Sequence, residues 1–224
     1  MIKALIFDFD GVIVDSEPLH FKVFQRVLED EGIYLSKEDY ISKYLAYDDK
    51  TFFSRSLSDF GKYKNPDQIS KLINKKSKMF ETLIRTEIKV FPGVLNFLKK
   101  VNEKYPSAIG SGALRSEIVL ILKYTGLAEY FDFIVSADEV ENCKPDPQVY
   151  LKVLNQFNIG RGKKLLPIEC LVFEDALHGI AAAKSAGMNC VGVSNSYSGD
   201  EILGADFVIS SFEKIDEGFL NNFD

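Results

Sequence analysis

Three cysteines in 224 residues, Cys143, Cys170 and Cys190, are too few and too scattered for a disulfide framework or a zinc site. Histidine is scarcer still, with two residues, so no His/Cys cluster is present to favour a soft transition metal. No stretch reaches the roughly 18 uncharged residues of a membrane span. Residues Met1 to Phe9 carry acids where a signal peptide needs a long apolar run. Positive charge is not in excess either: 27 Lys and Arg stand against 33 Asp and Glu, a net charge of −6. A phosphate backbone needs a basic surface, so nucleic acid is not an expected partner, although a few cations in one pocket can hold a small anionic substrate. The expectation is a cytoplasmic protein with neither a nucleic-acid nor a membrane partner.

Apolar residues make up 46% of the chain and charged residues 27%, enough for a substantial buried core. Dividing 224 residues by the ~150 of a typical domain gives about one and a half domains. The opening run Lys3 to Phe7 is short and apolar and stops abruptly at Asp8-Phe9-Asp10-Gly11, the pattern of a buried strand with a functional or turning end. From Pro18 to Arg85 the text becomes rich in Lys and Glu, with apolar residues at helical spacing, as in Phe21, Phe24, Val27 and Leu28. Helices are expected there over 37–43, 49–60 and 67–84. The phenylalanines and tyrosines between Tyr34 and Phe60 fit packing inside that bundle.

After Pro92-Gly93, strands and helices alternate. Strands are expected at 107–110, 133–136, 170–173, 190–193 and 207–209, and helices at 115–124, 148–157 and 176–186, with a last helix in the tail from Phe212 to Asp224. This alternation implies right-handed βαβ units and a doubly wound parallel sheet, with a helical insertion after the first strand. In such sheets ligands sit beyond the carboxyl ends of the strands.

At the first strand end, Asp8 and Asp10 are two residues apart and point to one face. Two close carboxylates resist ionising together unless a cation lies between them or one takes a proton. A solvated acidic turn has the same sequence, so Asp-x-Asp-Gly alone leaves both open. A later strand ends Glu174-Asp175 with a helix following at once. Asp175 suits an N-cap and also a metal, and Asp8 with Asp175, plus one or two of Asp10 and Glu174, makes an oxygen set suited to octahedral Mg2+. Ser111 lies between Gly110 and Gly112 ahead of a helix, which fits either a phosphate cradle or a plain strand-to-helix turn. Lys144 precedes Pro145-Asp146-Pro147, so its backbone is stiffened; it is either a solvated loop lysine or a fixed cation beside the carboxylates.

These four fragments in this order resemble the haloacid dehalogenase-like hydrolases, in the subfamily that contains β-phosphoglucomutase and phosphoglycolate phosphatase. The matching residues are Asp8-Phe9-Asp10-Gly11-Val12-Ile13-Val14-Asp15-Ser16, Ser111, Lys144-Pro145-Asp146-Pro147, Phe173-Glu174-Asp175-Ala176, Gly179-Ile180 and Ala183 to Gly187. The resemblance spans essentially the whole chain. It implies a doubly wound, Rossmann-like α/β core (residues 1–15 and 89–224) with an inserted all-helical cap domain (residues 16–88).

The resemblance also implies a Mg2+-dependent phosphatase acting on a small phosphorylated metabolite, with Asp8 as nucleophile and Asp10 as general acid and base. Mg2+ would be held by Asp8, Asp175 and the Asp10 carbonyl, with Glu174 in support. Phosphate would meet Gly11, Ser111, Gly112 and Lys144. His20 matches a histidine that in β-phosphoglucomutase helps orient the acid/base residue; an ordinary, partly exposed histidine is the competing reading. Members that cleave carbon–halogen bonds lack the second aspartate and the metal. The mutases carry Gly-x-x-x-Arg in a cap loop where this chain has Leu45-Ala46-Tyr47-Asp48-Asp49-Lys50. Lys50 is there as a point charge without an arginine fork, a departure that favours hydrolysis over mutase chemistry. Asp48 and Asp49 fit either sugar hydroxyls or the start of a helix, the latter preferred. The oligomeric state expected is a monomer or weak dimer.

Overall fold

The structure, a computed structural model, describes every residue except Ala46, Ser198 and Asp224. It divides into two compact units, one of residues 1–15 with 89–224 and one of residues 16–88. In the first unit, strands β1 (Ala4–Phe7), β4 (Ser107–Gly110), β5 (Phe133–Val135), β6 (Cys170–Glu174), β7 (Asn189–Val193) and β8 (Phe207–Ile209) form one parallel sheet in the order β5-β4-β1-β6-β7-β8. The chain starts in the middle of the sheet, builds outward through β4 and β5, then returns to the other side of β1 for β6 to β8. The carboxyl ends of β4, β1 and β6 therefore meet where the winding reverses, the place where such sheets bind ligands.

Burial on both faces explains the uninterrupted apolar strands. Ala4 and Ile6 point to one side, against Val149, Tyr150 and Val153 of α7 (Gln148–Phe157) and Ile180 and Ala183 of α8 (Leu177–Ser185). Phe7 points to the other side. It stacks on Phe173 with centroids 4.9 Å apart, and Phe97 of α5 (Val94–Val101) and Phe212 pack on the same group. Each buried phenylalanine contributes roughly 2–3 kcal/mol. That offsets in part the several kcal/mol that desolvating each carboxylate at the strand ends costs. Cys170 and Cys190 are free and buried in this interior.

Two elements escape the sequence pattern. Helix α5 follows the left-handed Gly93, and a two-residue antiparallel ladder pairs β2 (Val14–Asp15) with β3 (Lys89–Val90). The tail is corrected: its described part forms two 3-10 runs, Phe212–Lys214 and Glu217–Phe223, instead of one helix. The end of the expected helix, Asp224, lies outside the described residues.

The second unit is all-helical: α1 (Glu17–Glu29), α2 (Lys37–Asp39) running into a π-helical turn (Tyr40–Tyr44), α3 (Asp49–Asp59) and α4 (Pro66–Glu87). Helix α4 begins with a full capping box between Asn65 and Gln68. The aromatics pack inside the bundle in part: Phe24 stacks on Phe52 at 3.7 Å, and Tyr40, Tyr44 and Phe53 are buried around them, whereas Tyr34, Tyr47 and Phe60 are exposed, which corrects the packing expectation for those three. Among the described residues, no helix is long and apolar enough to cross a membrane.

Candidate active site

Asp8 sits one residue beyond β1, and its backbone N–H donates to the Phe173 carbonyl (2.9 Å). That bond extends the β1–β6 ladder and sets Asp8 beside the Glu174-Asp175 end of β6. The turn that follows is tight. Gly11 N–H donates to Val14 O (3.0 Å) and Ile13 N–H to Phe9 O (2.9 Å), while the side chains of Phe9, Val12 and Ile13 are fully buried. Apolar anchors thus hold the turn from below and leave Asp10 half-buried at its mouth. Gly11 has φ +78°, and a Cβ there would overlap the Asp175 carboxylate. Glycine is therefore required twice, for the backbone conformation and for the space.

Asp8, Glu174 and Asp175 are all buried, and among the described residues they form the one group of carboxylates able to converge on a cation, with one oxygen from each within 4.8 Å of the others. Lys144 reaches into it, with Nζ 2.6 Å from Glu174 Oε1 and 2.9 Å from Asp8 Oδ1. The Asp8 contact is an ion pair without hydrogen-bond geometry, so Asp8 Oδ1 is a buried oxygen with no hydrogen-bond partner. Glu174 is saturated by contrast. Its Oε1 accepts from Lys144 and from the Tyr150 hydroxyl (2.8 Å), and its Oε2 accepts from the N–H groups of Asp175 (3.0 Å) and Ala176 (3.1 Å). A Cβ at Gly179 would overlap the Glu174 carboxylate, which accounts for glycine in the first turn of α8. The N-cap of α8 is Ala176 and no side chain caps the helix, while Glu174 takes the two amides just before it, so the capping expectation for Asp175 is corrected.

One half-buried lysine faces three buried carboxylates, and the titration behaviour follows. Burial pushes Asp8 up to about 7; Lys144 pulls it down, while Glu174 and Asp10 push it further up. Burial likewise raises Asp175 to about 8, helped by Asp8 and Glu174 and opposed by a hydrogen bond from Ser196 and by Lys144. Burial works against the Lys144 ammonium, but Asp8 and Glu174 outweigh it and hold its pKa above the ordinary lysine value. A site with this imbalance accommodates protons or a cation. The donors fit Mg2+: all are hard oxygens, and Asp8 Oδ1, paired with the Lys144 charge, accepts no hydrogen bond. Glu174, with both oxygens occupied, fits an outer supporting position better than direct ligation.

Ser111 is buried beyond β4; its N–H donates to Val135 O (3.0 Å) and its hydroxyl accepts from Ala113 N–H (3.0 Å), closing the turn. Gly112 is exposed, with open space where a Cβ would stand. The first N–H of α6 (Arg115–Thr125) is not free for phosphate as the sequence suggests, because Arg115 N–H donates to Asp138 (3.0 Å).

His20 and Lys50 belong to the helical unit. His20 is half-buried and stacks on Phe80 (4.2 Å), and Lys50 is exposed in the first turn of α3. Asp48 caps α3 by accepting from Thr51 N–H (2.9 Å), as the helix-start reading has it, and Asp49 Oδ2 lies 3.1 Å from the buried Lys76. Ala46, at the position of the mutase glycine, lies outside the described residues. Sequence reasoning missed Tyr150, Asn195 and Ser196. The last two follow β7, where the strand-end rule applies as it does to Asp8 and Asp175.

A sequence profile of the haloacid dehalogenase-like hydrolases matches residues 5–193. The chain is 31% identical to the phosphorylated carbohydrates phosphatase of Thermotoga maritima over 90% of each chain. It is 30% identical to β-phosphoglucomutase of Bacillus subtilis, over 93% of this chain and 89% of that one. The crystal structure of CbbY from Rhodobacter sphaeroides in complex with phosphate superposes with a TM-score of 0.83 at 25% identity, covering 96% of both chains. Strand order, strand-end carboxylates and these likenesses agree, and the chain belongs to the haloacid dehalogenase-like hydrolase family.

Proposed function

We propose that the protein is a Mg2+-dependent phosphatase of small phosphorylated metabolites, of sugar-phosphate or phosphoglycolate type, that works through a phosphorylated Asp8. The observation that carries this reading is the buried Asp8 carboxylate, one oxygen without a hydrogen bond, held between Lys144 and Asp175 at the central strand end. In the first step an Asp8 oxygen attacks phosphorus while the bond to the leaving oxygen breaks and Asp10 gives that oxygen a proton. In the second, water attacks the aspartyl-phosphate, Asp10 takes the water proton, and free phosphate and the Asp8 carboxylate are regenerated. Lys144, the Ser111 hydroxyl and the Gly112 amide face the charge on the phosphoryl oxygens, where most phosphoryl-transfer catalysis resides. Bound through Asp8, Asp175 and the Asp10 carbonyl, with Glu174 behind, Mg2+ would neutralise phosphoryl charge and let the crowded carboxylates ionise. We assign residues 16–88 the role of a cap bearing specificity contacts, with His20 and Lys50 as its candidates.

The likeness to the B. subtilis mutase supports a second reading, phosphosugar mutase. The cap segment 45–50, without the mutase arginine, weighs against it. The test is a panel of sugar phosphates, phosphoglycolate and nucleotides with Mg2+. Phosphate release that stops on chelation is expected, and release from none of them would overturn the proposal. Conversion of β-glucose-1-phosphate to the 6-phosphate faster than phosphate release would favour the mutase.

A further inference from the structure

We propose that Asn195 and Ser196, in the turn after β7, are positioning residues that lock the Asp175 carboxylate against the nucleophile turn and thereby set the affinity of the site for Mg2+. The inference rests on the metal-site reading above.

Ser196 donates its hydroxyl to Asp175 Oδ2, which ties one carboxylate oxygen and leaves the other for a cation. Asn195 Nδ2 donates to the Gly11 carbonyl at 2.8 Å, across 184 residues of sequence. The two neighbours thus hold the two partners that touch each other, since Asp175 fills the space beside Gly11, and Ser196 Oγ would lie 2.9 Å from a Cβ there. The turn has its own anchors: Ser194 N–H donates to Ile209 O of β8 and Asn195 N–H to Val193 O, both at 2.9 Å. A carboxylate with two oxygens and a free χ2 needs such a partner to present one orientation, and outer partners of metal ligands typically contribute 10- to 100-fold in metal affinity. Ser196 is itself exposed while Asp175 is buried, so its loss opens no cavity in the core.

The test is calorimetric titration of the full-length protein with MgCl2, with thermal melts in chelator alongside. Ser196→Ala is expected to weaken Mg2+ binding by about 10-fold or more with the metal-free melting temperature unchanged, and Ser196→Thr, which keeps the hydroxyl, to restore it. Asn195→Ala is expected to lower kcat more than it raises KM, because it frees the nucleophile turn. Wild-type Mg2+ affinity in Ser196→Ala overturns the inference and leaves the metal site standing. A metal-free melting temperature that falls in Ser196→Ala as far as the metal-bound one assigns a merely structural role and also overturns it. Absence of Mg2+ binding by the wild type overturns the metal-site reading, and this inference with it.

Discussion

The Asp175 carboxylate lies in the space that a side chain on Gly11 would occupy. The turn after β1 and the end of β6 can therefore approach only because residue 11 is glycine. Gly11→Ala is expected to cost about 1–2 kcal/mol for the left-handed backbone alone, and to push Asp175 aside. Urea denaturation should show the stability loss, and Mg2+ titration a loss of affinity. Unchanged Mg2+ affinity would show that the contact has no bearing on the metal.

Removing the Lys144 cation should harm folding as well as catalysis. Lys144→Met leaves Glu174, fully buried, without its charged partner, and truncating one member of a buried pair costs about 3–5 kcal/mol. Tyr150→Phe keeps the ring under Lys144 and removes one neutral donor to Glu174, a loss of about 1–2 kcal/mol. Chemical denaturation of both variants checks the order; Tyr150→Phe more harmful than Lys144→Met would contradict it.

The raised carboxyls fix the sign of a pH dependence. Asp8 and Asp175 titrate at about 7 and about 8 in the folded chain, against 3.8 ordinarily, so between those values the folded state holds more protons than the unfolded one. Metal-free stability attributable to these groups is full below pH 4 and is lost as pH rises through 7 to 8. Mg2+ should stabilise more at pH 8 than at pH 6, where protons compete for its ligands. Melting curves with chelator and with Mg2+ at both pH values measure this; an equal Mg2+ effect at each would contradict it.

In the helical unit the sign is opposite. His20 is pushed well below its ordinary 6.5 by burial and then by Lys76. The folded state therefore binds fewer protons, and the contribution present above pH 6.5 is lost as pH falls below it. Denaturation at pH 7 and pH 5 should show a larger acid loss in wild type than in His20→Gln, by on the order of 1 kcal/mol.

The sheet was legible because its strands are short apolar runs stopped by acids, serine or glycine, and the candidate site residues stand at those stops: Asp8, Ser111, Glu174 and Asp175. Residues that act through long-range contact carry no such mark. Tyr150 reads as one apolar position of α7 until its hydroxyl is found on Glu174. Lys76 looks like any lysine of a charged helix, yet its side chain is 1% exposed between Phe24 and Phe80 with Asp49 beside it. The division of labour between the carboxylates was likewise hidden, because only backbone geometry reveals that Glu174 spends Oε2 on two amides. The β2–β3 ladder is too short to leave a periodic pattern, and the tail is fastened at separate points, Phe212 on Phe97 of α5 and Phe219 and Phe223 on Phe207.

The central claim is that Asp8 carries the phosphoryl group. The most direct measurement is phosphate release from the best sugar-phosphate substrate, with Mg2+, by wild type and by the isosteric Asp8→Asn. The account predicts a fall on the order of 10⁴-fold or more, with the variant still folded. Release by Asp8→Asn at the wild-type rate would contradict it.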